Sequence, residues 1–133
     1  MTTFKYKAEK GRQGETIYRP IADVILTTSK RKVEVSMYID SGADLSIIPY
    51  SVGLLLGFER SQGTIREIKG IAGDAIPYIV RETNFDLGNY KFKARVGWAL
   101  IEEVPLLLGR LDVFCHFKVI FDETERSVSF IPK

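Results

Sequence analysis

Along much of this chain apolar and polar residues alternate with a period of two. Val33, Val35, Met37 and Ile39 are interleaved with Glu34, Ser36 and Tyr38, the pattern of a strand with one buried face. Before it, Ile21, Val24, Ile25 and Leu26 form a β-branched-rich run ending at Thr27-Thr28-Ser29, and the basic segment Lys30-Arg31-Lys32 separates the two. The pair predicts a hairpin with a solvated turn. Leu45-Ser46-Ile47-Ile48 resumes apolar character up to Pro49, and residues 51–57 predict a short helix with Ser51 as N-cap and Gly57 as terminator. Residues 64–69 and 75–83 read as two strands joined by Gly70-Ile71-Ala72-Gly73-Asp74. After a Gly88-Asn89 turn, Tyr90, Phe92, Ala94 and Val96 alternate with Lys91, Lys93 and Arg95. Residues 110–116 predict a short helical segment, and residues 117–121 and 128–131 pair across Asp122-Glu123-Thr124. Residues 1–15 show no sustained period and are expected to form an N-terminal arm or loop. Short strands punctuated by turns predict a mainly-β barrel or sandwich with one or two short helices.

Composition narrows this picture. At 133 residues the chain is expected to be a single domain, residues 1–133, burying roughly two-thirds of its unfolded surface. No segment approaches the ~18 consecutive apolar residues of a membrane span. Residues 1–10 are charged and lack a secretory apolar region, so a cytoplasmic chain without a membrane partner is expected. Nineteen basic residues against seventeen acidic ones leave no excess to drive phosphate binding. The basic strand face Lys91/Lys93/Arg95 lacks stacking aromatics of the same parity, and no nucleic-acid partner is expected. One cysteine, Cys115, and one histidine, His116, cannot build a four-ligand Cys/His zinc site, and no metal or organic cofactor is expected. Cys115 reads as a packing residue. Adjacent side chains diverge, so His116 is poorly placed to activate Cys115. Chemistry, if there is any, falls to carboxylates, hydroxyls or backbone groups.

The sharpest candidate is Asp40-Ser41-Gly42-Ala43-Asp44. Asp, Ser and Gly are turn residues for independent steric and hydrogen-bonding reasons, so the tripeptide alone reads as a surface turn. Ala43 and the apolar run after Asp44 point instead to a loop lying against the interior, where an acid is costly unless hydrogen-bonded or functional. The second candidate is Leu106-Leu107-Leu108-Gly109-Arg110, by itself a core strand ending in a turn.

Together, Asp-Ser-Gly-Ala-Asp, a glycine-bearing hairpin tip and Leu-Leu-Gly-Arg, in that order, resemble the retropepsin-type aspartic proteases. The resemblance covers roughly residues 33–121. It implies a closed acid-protease β-barrel with one lobe per chain, in which Asp40 is a catalytic carboxylate and Ser41 hydrogen-bonds to the partner loop. It further implies that Gly42 admits a substrate backbone, and that Asp44 contacts that backbone or pairs with Arg110. Ala43, Leu108, Gly109 and Arg110 would support the site, and Gly70, Ile71, Ala72 and Gly73 would form the tip of a flap. Ala72 departs from the commoner Gly-Ile-Gly-Gly, and Leu45 stands where a second acid is common. Hydrolysis of this type needs two carboxylates sharing one proton, and the chain holds one Asp-Ser-Gly. The second must then come from another copy, which implies a homodimer with its two-fold axis through the site and a peptide or protein substrate. The alternative is a non-catalytic dimeric peptide-binding module of the same fold.

Overall fold

The hairpin of alternating residues is the backbone of the fold. Strand β4 (Ile21–Thr27) pairs antiparallel with β5 (Lys32–Ile39), Val24 opposite Val35 and Ile21 opposite Tyr38. Ala22, Val24 and Leu26 from one strand and Met37 and Ile39 from the other point inward and are buried. The computed structural model describes residues 1–69 and 73–133, and the expected tip residues Gly70, Ile71 and Ala72 lie outside them.

Beyond β5 come β6 (Ser46–Ile48), helix α1 (Tyr50–Leu55), β7 (Ile65–Lys69), β8 (Ala75–Leu87), β9 (Tyr90–Ala99) and β10 (Leu107–Leu108). A 3-10 turn at Phe114–His116 leads to β11 (Phe117–Asp122) and β12 (Ser127–Pro132). The main sheet runs β4-β5-β10-β6-β9-β8-β7, and β4 also pairs with β8. That extra pairing closes the first six strands into a barrel, as the mainly-β, closed-barrel expectation required, and leaves β7 to extend the long β8 as a hairpin. At the β8–β9 turn Gly88 and Asn89 both have positive φ, 58° and 68°, the geometry that tight hairpins favour and that Gly and Asn tolerate.

Inside the barrel, Trp98 is fully buried, stacked on Tyr50 at 5.5 Å, with its indole N–H donating to Tyr50 O at 3.0 Å. A glycine is required beneath it, because a Cβ on Gly53 would lie 2.0 Å from the indole nitrogen. Helix α1 differs from its expected start. Pro49 is the N-cap, Ser51 lies inside the first turn, and the Ser51 hydroxyl donates to Glu102 Oε2 at 2.6 Å. Gly57, with φ of +86°, ends the segment as expected.

The first fifteen residues are not an arm or loop. Strand β1 (Thr2–Lys5) pairs antiparallel with β12, and β2 (Lys7–Lys10) pairs with β3 (Thr16–Arg19) as a separate ribbon. The sheet β1-β12-β11 joins the two ends of the chain, and Phe4 packs edge-on to Phe130 at 5.9 Å. Phe130, Val128 and Phe117 belong to the same buried cluster as the barrel interior. Cys115 is another difference: it is exposed rather than packed in the core, because the 3-10 turn directs Val113 and Phe117 inward instead. Among the described residues no helix is long and apolar enough to cross a membrane.

Candidate active site

Asp40 leaves the end of β5 at the point where β10 enters between β5 and β6. Leu107 and Leu108 run parallel to Tyr38 and Ile39, while Leu107 also lies opposite Ile47 of β6. Two strands that flank a loop are thus bridged by a third from about seventy residues further on, which holds both ends of that loop. Tyr38 N donates to Leu106 O at 2.8 Å, and Asp40 N donates to Leu108 O at 3.0 Å.

The loop itself is a tight turn. Ala43 N donates to Asp40 O at 3.2 Å, and Gly42 N donates to Asp40 Oδ1 at 2.9 Å. The Asp40 carboxylate is therefore aimed by a backbone donor two residues ahead, the local bond that Asp makes readily in turns. Asp40 is half-buried, whereas Ser41 and Gly42 are exposed, so the loop crosses the surface while its flanks enter the core. This refines the expectation of a loop against the interior: Ile39 and Ser46–Ile48 are buried, and the turn between them is not.

Residues 109–111 form the second side of the site. Arg110 N donates to Ala43 O at 3.0 Å and Leu111 N to Asp44 O at 2.7 Å, and Arg110 and Asp44 make an ion pair. Gly109 is buried at the crossing, where an added Cβ would stand 2.7 Å from the Leu45 carbonyl carbon and 3.0 Å from Ala43 O. Gly109 N donates to the hydroxyl of Ser46 at 2.9 Å. Ser46 is fully buried, and sequence reasoning passed over it. Its signal was a lone hydroxyl inside an apolar run, because a buried polar group needs a partner.

The structure thus brings Asp40, Gly42, Ala43, Asp44, Leu108, Gly109 and Arg110 into one hydrogen-bonded unit. Gly73 stands elsewhere, at the start of β8's approach, exposed and with a φ of +84° that favours glycine. A cleft of about 440 Å3 opens at Asp40 and is lined also by Tyr38, Pro20, Pro105 and Leu107. A second cleft of about 410 Å3, beside Leu56, Phe58 and Thr83, does not include Asp40.

Three carboxylates away from Asp40 are held below their ordinary range. Asp112 accepts from the Arg95 guanidinium at 2.8 and 3.1 Å, and that side-chain bond is the main cause. Asp23 is lowered by the Ser36 hydroxyl and then Lys7, and Glu102 by the Ser51 hydroxyl and backbone N–H. A lowered folded pKa adds stability that is complete above the unfolded value and is lost as pH falls through the folded one. The melting temperature is therefore expected to hold from neutrality down to about pH 5 and to drop below about pH 4. Asp112→Asn is expected to flatten that acid limb in circular dichroism melts, and an unchanged slope would contradict the assignment.

A core built as a closed barrel, with an acid turn clamped under a Leu-Gly-Arg crossing, defines an acid-protease lobe. An aspartyl protease family model matches residues 26–110, and the chain belongs to that family. The fold is retropepsin-like. It is similar to a retropepsin-like aspartic protease from Rickettsia conorii, with a TM-score of 0.65 and 16% identity, covering 96% of this chain and 98% of that one. It is also similar to the EIAV protease solved with the inhibitor HBY-793, with a TM-score of 0.55 and 21% identity, covering 73% of this chain and 86% of that one. No curated protein matches the chain.

Proposed function

We propose that the protein is an aspartic endopeptidase whose active unit is a homodimer, with Asp40 of each copy supplying one of two catalytic carboxylates. The observation that carries this is a half-buried Asp40 that lines a cleft, with its turn residues Ser41 and Gly42 exposed. Such a turn is half a site, and a two-fold axis through it would set one Asp40 against the other. Two like charges in contact cannot both ionise, so one carboxyl keeps a proton, as aspartic-protease dyads do. The ionised partner takes a proton from a water molecule, whose oxygen attacks the peptide carbonyl carbon. The protonated partner donates to the carbonyl oxygen. On collapse of the tetrahedral intermediate the C–N bond breaks, and the amine nitrogen takes the proton that the first carboxylate removed from water. A hydroxyl of the intermediate returns its proton to the second carboxylate as the new carboxyl group forms.

The remaining residues have supporting roles. Ser41 braces the two active-site turns against each other, and Gly42 lets an extended peptide approach the backbone. Asp44, fixed by Arg110, presents a polar edge to that peptide, which is held by main-chain hydrogen bonds in the manner of an added strand. The β7–β8 hairpin, with Gly70, Ile71, Ala72 and Gly73 at its tip, closes over the peptide as a flap. The reaction needs no cofactor, and a single cysteine, which cannot form an internal disulfide, suits a reducing compartment. A denatured protein incubated with the chain between about pH 3 and 7 is expected to be cut at internal peptide bonds. Binding of peptides without cleavage at any pH would favour a non-catalytic module instead.

A further inference from the structure

The ribbon β2–β3 has few supports of its own. Among the described residues its strands pair only with each other, and an isolated two-stranded hairpin is marginal in water. Polar contacts tie it to the barrel. Lys7 Nζ lies 3.0 Å from Asp23 Oδ1 and 3.3 Å from Ser36 Oγ. The Tyr38 hydroxyl donates to Glu9 Oε1, and Arg19 Nε lies 3.8 Å from the other oxygen of the same carboxylate. The bond to Glu9, together with burial, raises the Tyr38 phenol above its usual value and keeps it a donor.

The position of this contact gives it a functional meaning. Tyr38 lies near the end of β5, two residues before Asp40, and both line one cleft with Glu9 and Arg19. The rest of its wall is apolar: Pro20, Ile39, Pro105 and Leu107. Glu9 faces Tyr38 with one oxygen and Arg19 with the other, so its charge is already engaged.

We propose that the N-terminal hairpin is a substrate-selecting wall of the cleft, in which Glu9, acting through Tyr38, is a positioning residue that sets the size of the pocket for the side chain beside the scissile bond. The inference rests on the aspartic-peptidase reading above. The apolar walls suit a bulky aliphatic or aromatic side chain. In a dimer the pocket occurs twice, once on each side of the scissile bond. Releasing Tyr38 from Glu9 frees the ring, loosens the pocket and lets small side chains compete.

The test compares two peptides that differ only in leucine or alanine beside the scissile bond. The wild type is expected to favour leucine in kcat/KM by about 10- to 100-fold. Glu9→Ala and Tyr38→Phe are each expected to lower that ratio by at least about threefold, mainly through KM, and the double variant no further than either. Glu9→Gln, whose amide oxygen still accepts from Tyr38, is expected to keep the wild-type ratio. Melting temperatures confirm folding, and the near-isosteric Tyr38→Phe keeps the test open if Glu9→Ala is unstable. An unchanged ratio in folded Tyr38→Phe, or a loss in Glu9→Gln equal to that in Glu9→Ala, would overturn the proposal alone. A wild type that cleaves neither peptide would overturn the peptidase reading and this inference with it.

Discussion

Asp40→Asn is expected to lower peptide hydrolysis by about 10²- to 10⁴-fold, the range spanned by loss of a positioned acid or base, while leaving the fold intact. The two halves of that expectation have separate causes. Asparagine keeps an oxygen where Asp40 Oδ1 accepts from Gly42 N–H at 2.9 Å, and the backbone bond from Asp40 N to Leu108 O at 3.0 Å is untouched. The turn should therefore hold its shape. An amide cannot take a proton from water, nor share one with a second carboxyl, so the chemistry stops. Measured kcat/KM together with a melting curve separates the two effects. A folded variant within tenfold of the wild type would remove Asp40 from the reaction.

Gly109→Ala is expected to destabilise the fold strongly and to disturb the acid turn with it. The new methyl would stand 2.7 Å from Leu45 C, 2.8 Å from Leu45 O and 3.0 Å from Ala43 O. These are backbone atoms of the turn that follows Asp40, so no side-chain rotation relieves the clash. Separating the two segments costs the bonds from Gly109 N to Ser46 Oγ, Arg110 N to Ala43 O and Leu111 N to Asp44 O. Overpacking of this kind costs about 3 kcal/mol, which for a chain of this size lowers the melting temperature by roughly 10 °C. The same movement displaces the acid turn, so activity falls with stability. A loss under about 1 kcal/mol in thermal or denaturant unfolding would mean that the crossing is looser than the structure has it.

Local pattern and local chemistry make part of this protein legible in its sequence. The alternation from Val33 to Ile39 is a strand because its apolar face turns inward, half-buried at Val33 and Val35 and buried at Met37 and Ile39. Asp40-Ser41-Gly42 and Leu108-Gly109-Arg110 are visible because each needs particular residue types: an acid that a following N–H can aim, and a glycine where two backbones touch. What escaped was set by partners distant in sequence. Thr2–Lys5 is a strand only because Ser127–Pro132 lies beside it, and its own four residues carry too short an alternation to announce that. Glu9 reads as one more surface charge until the Tyr38 hydroxyl is found on it. Ser46 looks like an interruption in an apolar run until Gly109 N is found pointing at it. Ser51 illustrates the opposite error: a good capping residue sits inside the first turn rather than at the cap, and its hydroxyl serves Glu102 instead.

The claim on which the rest depends is that two copies of Asp40 make one site, and mixing tests it most directly. Wild type and Asp40→Asn are combined in equal amounts, allowed to exchange subunits, and assayed at fixed total protein. If both carboxylates are needed, only dimers of two wild-type chains work, and about one quarter of the pure wild-type activity remains. If each chain carried a complete site, about one half would remain, and the second acid would have to lie in the same chain, where Glu9 lines the cleft beside Asp40. A quarter is the predicted result, and a half would contradict it.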